Sequence, residues 1–302
     1  MSSVRSAAVL GLGGLVAATL AACSSNSDDA GSSGAAPAIA PDAGKPVTVP
    51  CSEPVDQRPA GSACVKTVTG RLVEDATQTP VKLLTTVCGA GLCLLGDGDA
   101  NGFSVPVNRF VDLDVFVLHV DGRPSHANVY IRLARSTSDA IVLASPVRVP
   151  ILDQVGTALP QMPPGANLVL RAGDVALTLG PTTAVELDFA DAALEAEGRK
   201  LRSGKVSSEV MSDPKLVVLH AMSPFGATLT PPAEVAITLP AAAGIADGTA
   251  VELVALEDTL DSPETGKLKV VATATVTGGV AKSDPGTGLA RLTWIGVRKK
   301  GN

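Results

Sequence analysis

The chain has 302 residues, of which 45% are hydrophobic and 18% charged, so it can bury a core and is not disordered as a whole. Glycine (30) and proline (22) are too frequent for a helical bundle and normal for strands joined by many turns, and aromatics at 2% leave the core to Val, Leu, Ile and Ala. The net charge of −6 comes with no basic block inside the body, which argues against nucleic acid as a partner; Arg298, Lys299 and Lys300 read as a solvated tail.

Arg5 precedes an uncharged run from Ala7 to Leu20. A helix that spans a bilayer needs about 20 residues, and this run is shorter. It ends in Leu20-Ala21-Ala22-Cys23-Ser24, which closely resembles the lipobox of bacterial lipoproteins. The resemblance implies a signal peptide over residues 1–22, a diacylglyceryl group on the Cys23 thiol, and acylation of the amine freed by cleavage. Ser24, where inner-membrane retention uses aspartate, implies an outer-membrane lipoprotein facing the periplasm or the cell surface. The membrane is then a partner through the lipid anchor, each buried methylene contributing about 0.8 kcal/mol. Residues 23–50 are rich in Ser, Gly, Ala, Pro and Asp and read as a lipidated flexible tether.

Beyond Cys23 stand Cys51, Cys64, Cys88 and Cys93, an even number in a chain expected to reach an oxidising compartment. Three connectivities are possible. Cys51–Cys64 with Cys88–Cys93 is favoured, because Gly89-Ala90-Gly91-Leu92 is a turn flexible enough to bring two strand ends together. The cysteines lack C-x-x-C spacing, and His119, His126 and His220 are scattered, so a zinc site is not expected.

The dominant period of the body is two. Alternation is seen in Val111/Leu113/Val115/Val117, Val175/Leu177/Leu179, Val185/Leu187/Phe189, Val235/Ile237/Leu239, Val251/Leu253/Ala255 and Leu268/Val270/Ala272. Pro163-Pro164-Gly165, Ala172-Gly173-Asp174, Gly180-Pro181, Pro231-Pro232 and Asp247-Gly248 read as the turns between them. The pattern predicts an all-β fold of tandem antiparallel β-sandwiches with at most one short helix, Asp191 to Arg202, N-capped by Asp191. Residues 51–135 form the first sandwich and 136–302 a second β-rich region of one or two modules.

The stretch Val68-Thr69-Gly70-Arg71-Leu72-Val73-Glu74-Asp75, then Thr79-Pro80-Val81, then Asp99-Ala100-Asn101-Gly102-Phe103-Ser104-Val105-Pro106-Val107, resembles the carboxypeptidase regulatory-like domain. That resemblance implies a prealbumin-like sandwich serving as an accessory module of exported proteins. The chain departs from the family's pattern at Lys82-Leu83-Leu84 and in the loop holding Cys88 and Cys93. Further on, Ser223-Pro224-Phe225-Gly226, Pro231-Pro232-Ala233 and Asp284-Pro285-Gly286-Thr287-Gly288 with Trp294 resemble repeated β-modules of bacterial surface proteins, and the sandwich shared by ankyrins and netrin receptors. This implies an immunoglobulin-like second region, with Trp294 as a core plug.

Asp97, Asp99 and Asn101 in D-x-D-x-N-G open like a calcium loop, since oxygens at alternate positions converge on a hard cation. The twelfth position from Asp97 is Asn108, not the closing glutamate, and the same residues make a hairpin turn in which Asn101-Gly102 supplies positive φ. The turn is the expectation, with calcium as the alternative and no other cofactor. Serine-hydrolase chemistry finds no G-x-S-x-G; His119 and His220 sit in apolar runs, and nothing marks a partner for His126. Asp112 and Asp114, on one face of a strand about 7 Å apart, suit either a glycosidase pair or a wet strand face. No catalytic residue is assigned. What results is a non-enzymatic, lipid-anchored envelope protein that binds, adheres or scaffolds, with a protein or polysaccharide ligand. The alternative is a hydrolase or an accessory module of one.

Overall fold

A computed structural model describes residues 48–134, 138–207, 209–210 and 213–301. Signal peptide, Cys23 and most of the tether lie outside the described residues.

The fold is all-β, built from antiparallel sheets that face each other across apolar cores. In the first sandwich one sheet runs in the order Val49–Pro50, Gly102–Val111, Ala63–Gly70, Ala140–Val142, with Asp97–Asp99 hairpinned onto Gly102–Val111. The facing sheet runs Leu92–Leu95, Leu84–Gly89, Val117–Asp121, Val129–Arg132. Val65 and Val68, on either side of a register slip, and Val105 and Val107 turn inward from one sheet, and Val87, Leu118, Val120 and Val129 from the other, into one core. Each such buried side chain contributes about 1.5–3 kcal/mol. The sandwich does not stop at residue 135. Ala140–Val142 pairs parallel with Thr67–Thr69, and Val147–Val149 parallel with Leu72–Glu74, two exceptions to the antiparallel pattern.

The second core is enclosed by one twelve-stranded sheet. Its path begins at Thr157–Ala158 and Lys200–Lys205, passes through Leu216–Ser223, Ile295–Lys299 and Ala250–Leu256, and ends at Val175–Leu179 and Leu168–Ala172. The two ends meet: Thr157 Oγ1 donates to the Arg171 carbonyl at 2.6 Å, and Ser203 Oγ to the Ala172 carbonyl at 2.9 Å. Curling leaves few free strand edges around this core.

Leu216–Ser223 is buried on both faces. Val218 and Met222 point into the second core, whereas Leu219 and Ala221 point into the first, joined there by Phe225, Leu256 and Trp294. Trp294 is 2% exposed and its Nε1 donates to the Asn128 carbonyl at 2.9 Å, so the only tryptophan is a plug between the sandwiches. Residues 43–302 make one compact unit.

Four local expectations need correction. The alternation from Val111 to Val117 is not one strand: the strand ends at Val111, and Val115 and Phe116 donate back to the Asp112 carbonyl in a tight turn. The helix is two short pieces, Phe189–Ala193 and Glu195–Gly198, and Lys200–Lys205 is a strand. Its N-cap is Asp188, whose carboxylate accepts from the Asp191 amide at 2.7 Å, and Glu195 at φ 51° interrupts the run. Phe189, read as a strand residue, starts the first piece and is 90% exposed. Pro231-Pro232 lies inside the strand Thr228–Thr238 rather than between strands.

Candidate functional site

The sulfurs of Cys51 and Cys64 are bonded, as are those of Cys88 and Cys93, with Cα–Cα separations of 5.4 and 4.1 Å. Cys88 and Cys93 are direct cross-strand partners, and the hairpin tip beyond them docks on the second sandwich, where the Gly91 amide donates to the Asp261 carboxylate at 3.0 Å. No group of three or more His, Cys, Asp or Glu among the described residues is arranged to hold a metal.

Asp97, Asp99 and Asn101 are exposed on the hairpin of Asp97–Asp99 and Gly102–Val111. The turn is held by Asp99, whose Oδ1 accepts from the Asn101 amide at 2.7 Å and the Gly102 amide at 3.3 Å; these bonds hold its carboxyl below the usual range. The expectation of positive φ at Asn101-Gly102 is wrong, because neither adopts it. Gly102 is required for space: a Cβ there would meet the Gly70 carbonyl at 2.8 Å. Positive φ falls instead on Asn108, at φ 52°, in the bulge where the strand slips register against Val65 and Thr67. Asp112 and Asp114 share a turn, the Asp112 carboxylate accepting from the Asp114 amide at 2.9 Å, so they do not line one face of a strand.

The histidines part company. His220 faces the second core with neither ring nitrogen hydrogen-bonded, and burial pushes its pKa down. His126 does have partners: Nδ1 meets Ser125 Oγ at 2.9 Å and Nε2 meets Glu74 Oε1 at 3.3 Å. His119 is the direct cross-strand neighbour of Tyr130, which packs against the first core together with Phe225. Their rings stack at 4.5 Å between centroids, and Phe225 of the second sandwich stacks on Tyr130 at 5.6 Å. Burial pushes His119 down to about 4, leaving it neutral near neutral pH, with Nε2 buried and unpartnered.

This stack lies on the seam between the sandwiches, where polar side chains of both meet. Arg123, in the loop after Val117–Asp121, donates from Nε and Nη2 to Asp121 at 2.9 and 2.7 Å and from Nη1 to Asp188 at 3.0 Å. Asp191, 1% exposed, stands 3.5 Å from the same Nη1, and its Oδ2 accepts no hydrogen bond. Burial, with Asp188 close by, pushes Asp191 up to about 7. Elsewhere on the seam Asp75 accepts from the Ser207 amide and hydroxyl, both at 2.7 Å, and Arg291 Nε donates to Asp258 at 2.8 Å.

Besides a cavity of about 500 Å³ beside Asp75 and Ser207, two cavities open near the stack. The larger, about 670 Å³, is floored by Val129, Ile131, Leu143, Leu256 and Trp294, with Arg148 at its edge. The smaller, about 360 Å³, is lined by His119, Arg123, Asn128 and Tyr130 from the first sandwich and by Asp188, Phe225, Asp258 and Arg291 among the groups of the second. Reading the chain singled out His119 and Phe225 without a role and missed Arg123, Asp188, Asp258 and Arg291 altogether. They come from four separate loops and strands, with no spacing to link them. Tyr130, the one tyrosine, was a signal that could have drawn notice.

No family model matches the chain, and no curated protein or solved structure matches it.

Proposed function

We propose that the chain is a non-enzymatic, lipid-anchored cell-envelope protein, held in the outer membrane through Cys23, which binds or scaffolds a carbohydrate or protein ligand at the seam of its two sandwiches. The observation that carries this reading is the shared core. Leu219, Ala221, Phe225, Leu256 and Trp294 of the second sandwich complete the first, so both cavities have walls from two modules fixed against each other. Preformed concavities at module junctions are where ligands are usually held. The prealbumin-like and immunoglobulin-like resemblances agree with such a role, as does the lipobox. No described helix is long and apolar enough to cross a membrane.

A hydrolase has one observation in its favour, the hydrogen-bonded chain Ser125–His126–Glu74. The binding reading is stronger. Ser125 contacts its own sequence neighbour, Thr77 also holds Glu74 at 2.7 Å, and Ser125 and His126 line neither seam cavity.

Metabolic labelling with a radioactive fatty acid tests the anchored reading. The wild-type chain should take up label and sediment with envelopes, and Cys23→Ser should remain an unlabelled precursor. Label on the Cys23→Ser variant would refute the anchor.

A further inference from the structure

We propose that the Cys88–Cys93 bond is a site of thiol–disulfide exchange, opened by an external dithiol that attacks Cys93, and that its state sets how firmly the hairpin tip Ala90-Gly91 is held on the second sandwich. The proposal stands apart from the ligand reading above.

The two sulfurs are unequal. Cys93 is exposed, in the edge strand Leu92–Leu95, whereas Cys88, in the inner strand Leu84–Gly89, is 2% exposed. Exchange needs access to one sulfur, so an incoming thiolate reaches Cys93, and the electron pair of the broken S–S bond leaves on Cys88. Thr86 Oγ1 stands 3.5 Å from the Cys88 sulfur, and because a disulfide sulfur carries no hydrogen the hydroxyl is the donor. Its other contacts, with the carbonyl and Nδ1 of His119, are both at 3.4 Å, so the hydroxyl is free to turn to the thiolate as it forms. The second thiol of the reductant then closes onto the first and expels Cys93 as a thiolate. Two electrons and two protons pass in all, leaving two thiols on this chain and one disulfide on the reductant.

The fold lets the bond open and re-form without unfolding. Cys88 and Cys93 are direct partners in a ladder that also pairs Val87 with Leu94 and Gly89 with Leu92, and Cys88 is paired on its other side with Val117. Fully buried Val87 fixes the inner strand to the first core. Once reduced, the two thiols therefore stay face to face. The other bond differs. Cys51 and Cys64 are both half-buried, and their bond closes the longer loop, a separation of 13 residues against 5, so it constrains the chain more.

The tip is what the bond clamps. Ala90 and Gly91, at φ 53° and 71°, turn the hairpin, a conformation that costs alanine more than glycine. The Gly91 amide then donates to Asp261 of the second sandwich at 3.0 Å. Opening the bond beside this turn loosens the tip from Asp261 and leaves the shared core in place.

The test uses the full chain in detergent, with any thiol free at the outset first blocked by N-ethylmaleimide. Dithiothreitol is added in steps, newly freed thiols are alkylated with iodoacetamide, and each cysteine is read by peptide mass spectrometry. Cys88 and Cys93 should be labelled at a concentration about tenfold or more below that which labels Cys51 and Cys64, with circular dichroism unchanged. With reduced glutathione the adduct should sit on Cys93 and the alkyl group on Cys88. Thr86→Val should slow the opening about fivefold, as expected for one lost hydrogen bond. Amide exchange in the peptide holding Ala90-Gly91 should quicken once the bond is reduced. Opening of both bonds together, opening only as the fold is lost, or a glutathione adduct on Cys88 would overturn the exchange site. Unchanged amide exchange at the tip would overturn the clamp, and an unchanged rate in Thr86→Val the part given to its hydroxyl.

Discussion

Asn108 shows how one residue sets the shape of a strand. Holding a non-glycine residue in the left-handed region costs about 1–2 kcal/mol, less for asparagine, which finds local hydrogen bonds, than for a β-branched residue. Asn108→Val should therefore lower the melting temperature clearly, by an amount equivalent to about 1–2 kcal/mol, while Asn101→Val, at ordinary φ, should change it little. Thermal melts of both variants check this, and equal shifts would show that the bulge does not need its left-handed residue. Repeating the melts with micromolar calcium should shift neither protein, because the Asp99 carboxylate is already engaged by the Asn101 and Gly102 amides. D-x-D-x-N-G marked the turn in the sequence, but the left-handed position was not legible. Asn108 sits in the middle of an alternating strand, and only pairing with Val65 and Thr67 creates the bulge that bends it.

Strands were the most legible elements. Val175–Leu179 follows its alternation closely. The pattern fails where tertiary pairing intervenes. Between Leu253 and Val254 the pairing with Leu268–Thr277 slips by one, so Val270 stays exposed while Ala272 is buried. The helical segment was misplaced for a related reason, since the competing strand Lys200–Lys205 gains partners on both sides, which no propensity scale includes. Asp191, taken for the cap, is instead the buried acid of the Arg123 cluster. Its pKa rises from 3.8 to about 7, so the folded state holds a proton that the unfolded chain releases, and this contribution to stability is full below about pH 4 and lost as pH rises through about 7. His119 has the opposite sign: lowered from 6.5 to about 4, it adds stability above about pH 6.5 that is lost as pH falls through about 4. The two slopes oppose each other in the same window. Asp191→Asn removes one of them, so its melting temperature should climb from pH 4.5 to pH 7 more steeply than that of the wild type. Parallel profiles would show that Asp191 is ionised throughout.

At the scale of the whole molecule, all-β architecture was legible from glycine, proline and period-two alternation, but the joining of the sandwiches was not. Leu216–Ser223 reads as one apolar run, and nothing in the run says that alternate residues serve different cores. The same invisibility covers the seam cavities, whose residues are brought together only when Leu219, Ala221 and Phe225 dock on the first sandwich. Ligand binding by walls from two modules requires that the modules not part before they unfold. Trp294, the only tryptophan, sits on that seam and reports it directly. The decisive measurement is denaturant unfolding followed at once by tryptophan fluorescence and far-ultraviolet circular dichroism. A shared core predicts coincident transitions with one midpoint. A fluorescence change completed at lower denaturant, with strand signal still intact, would show the sandwiches separating first and would contradict the account.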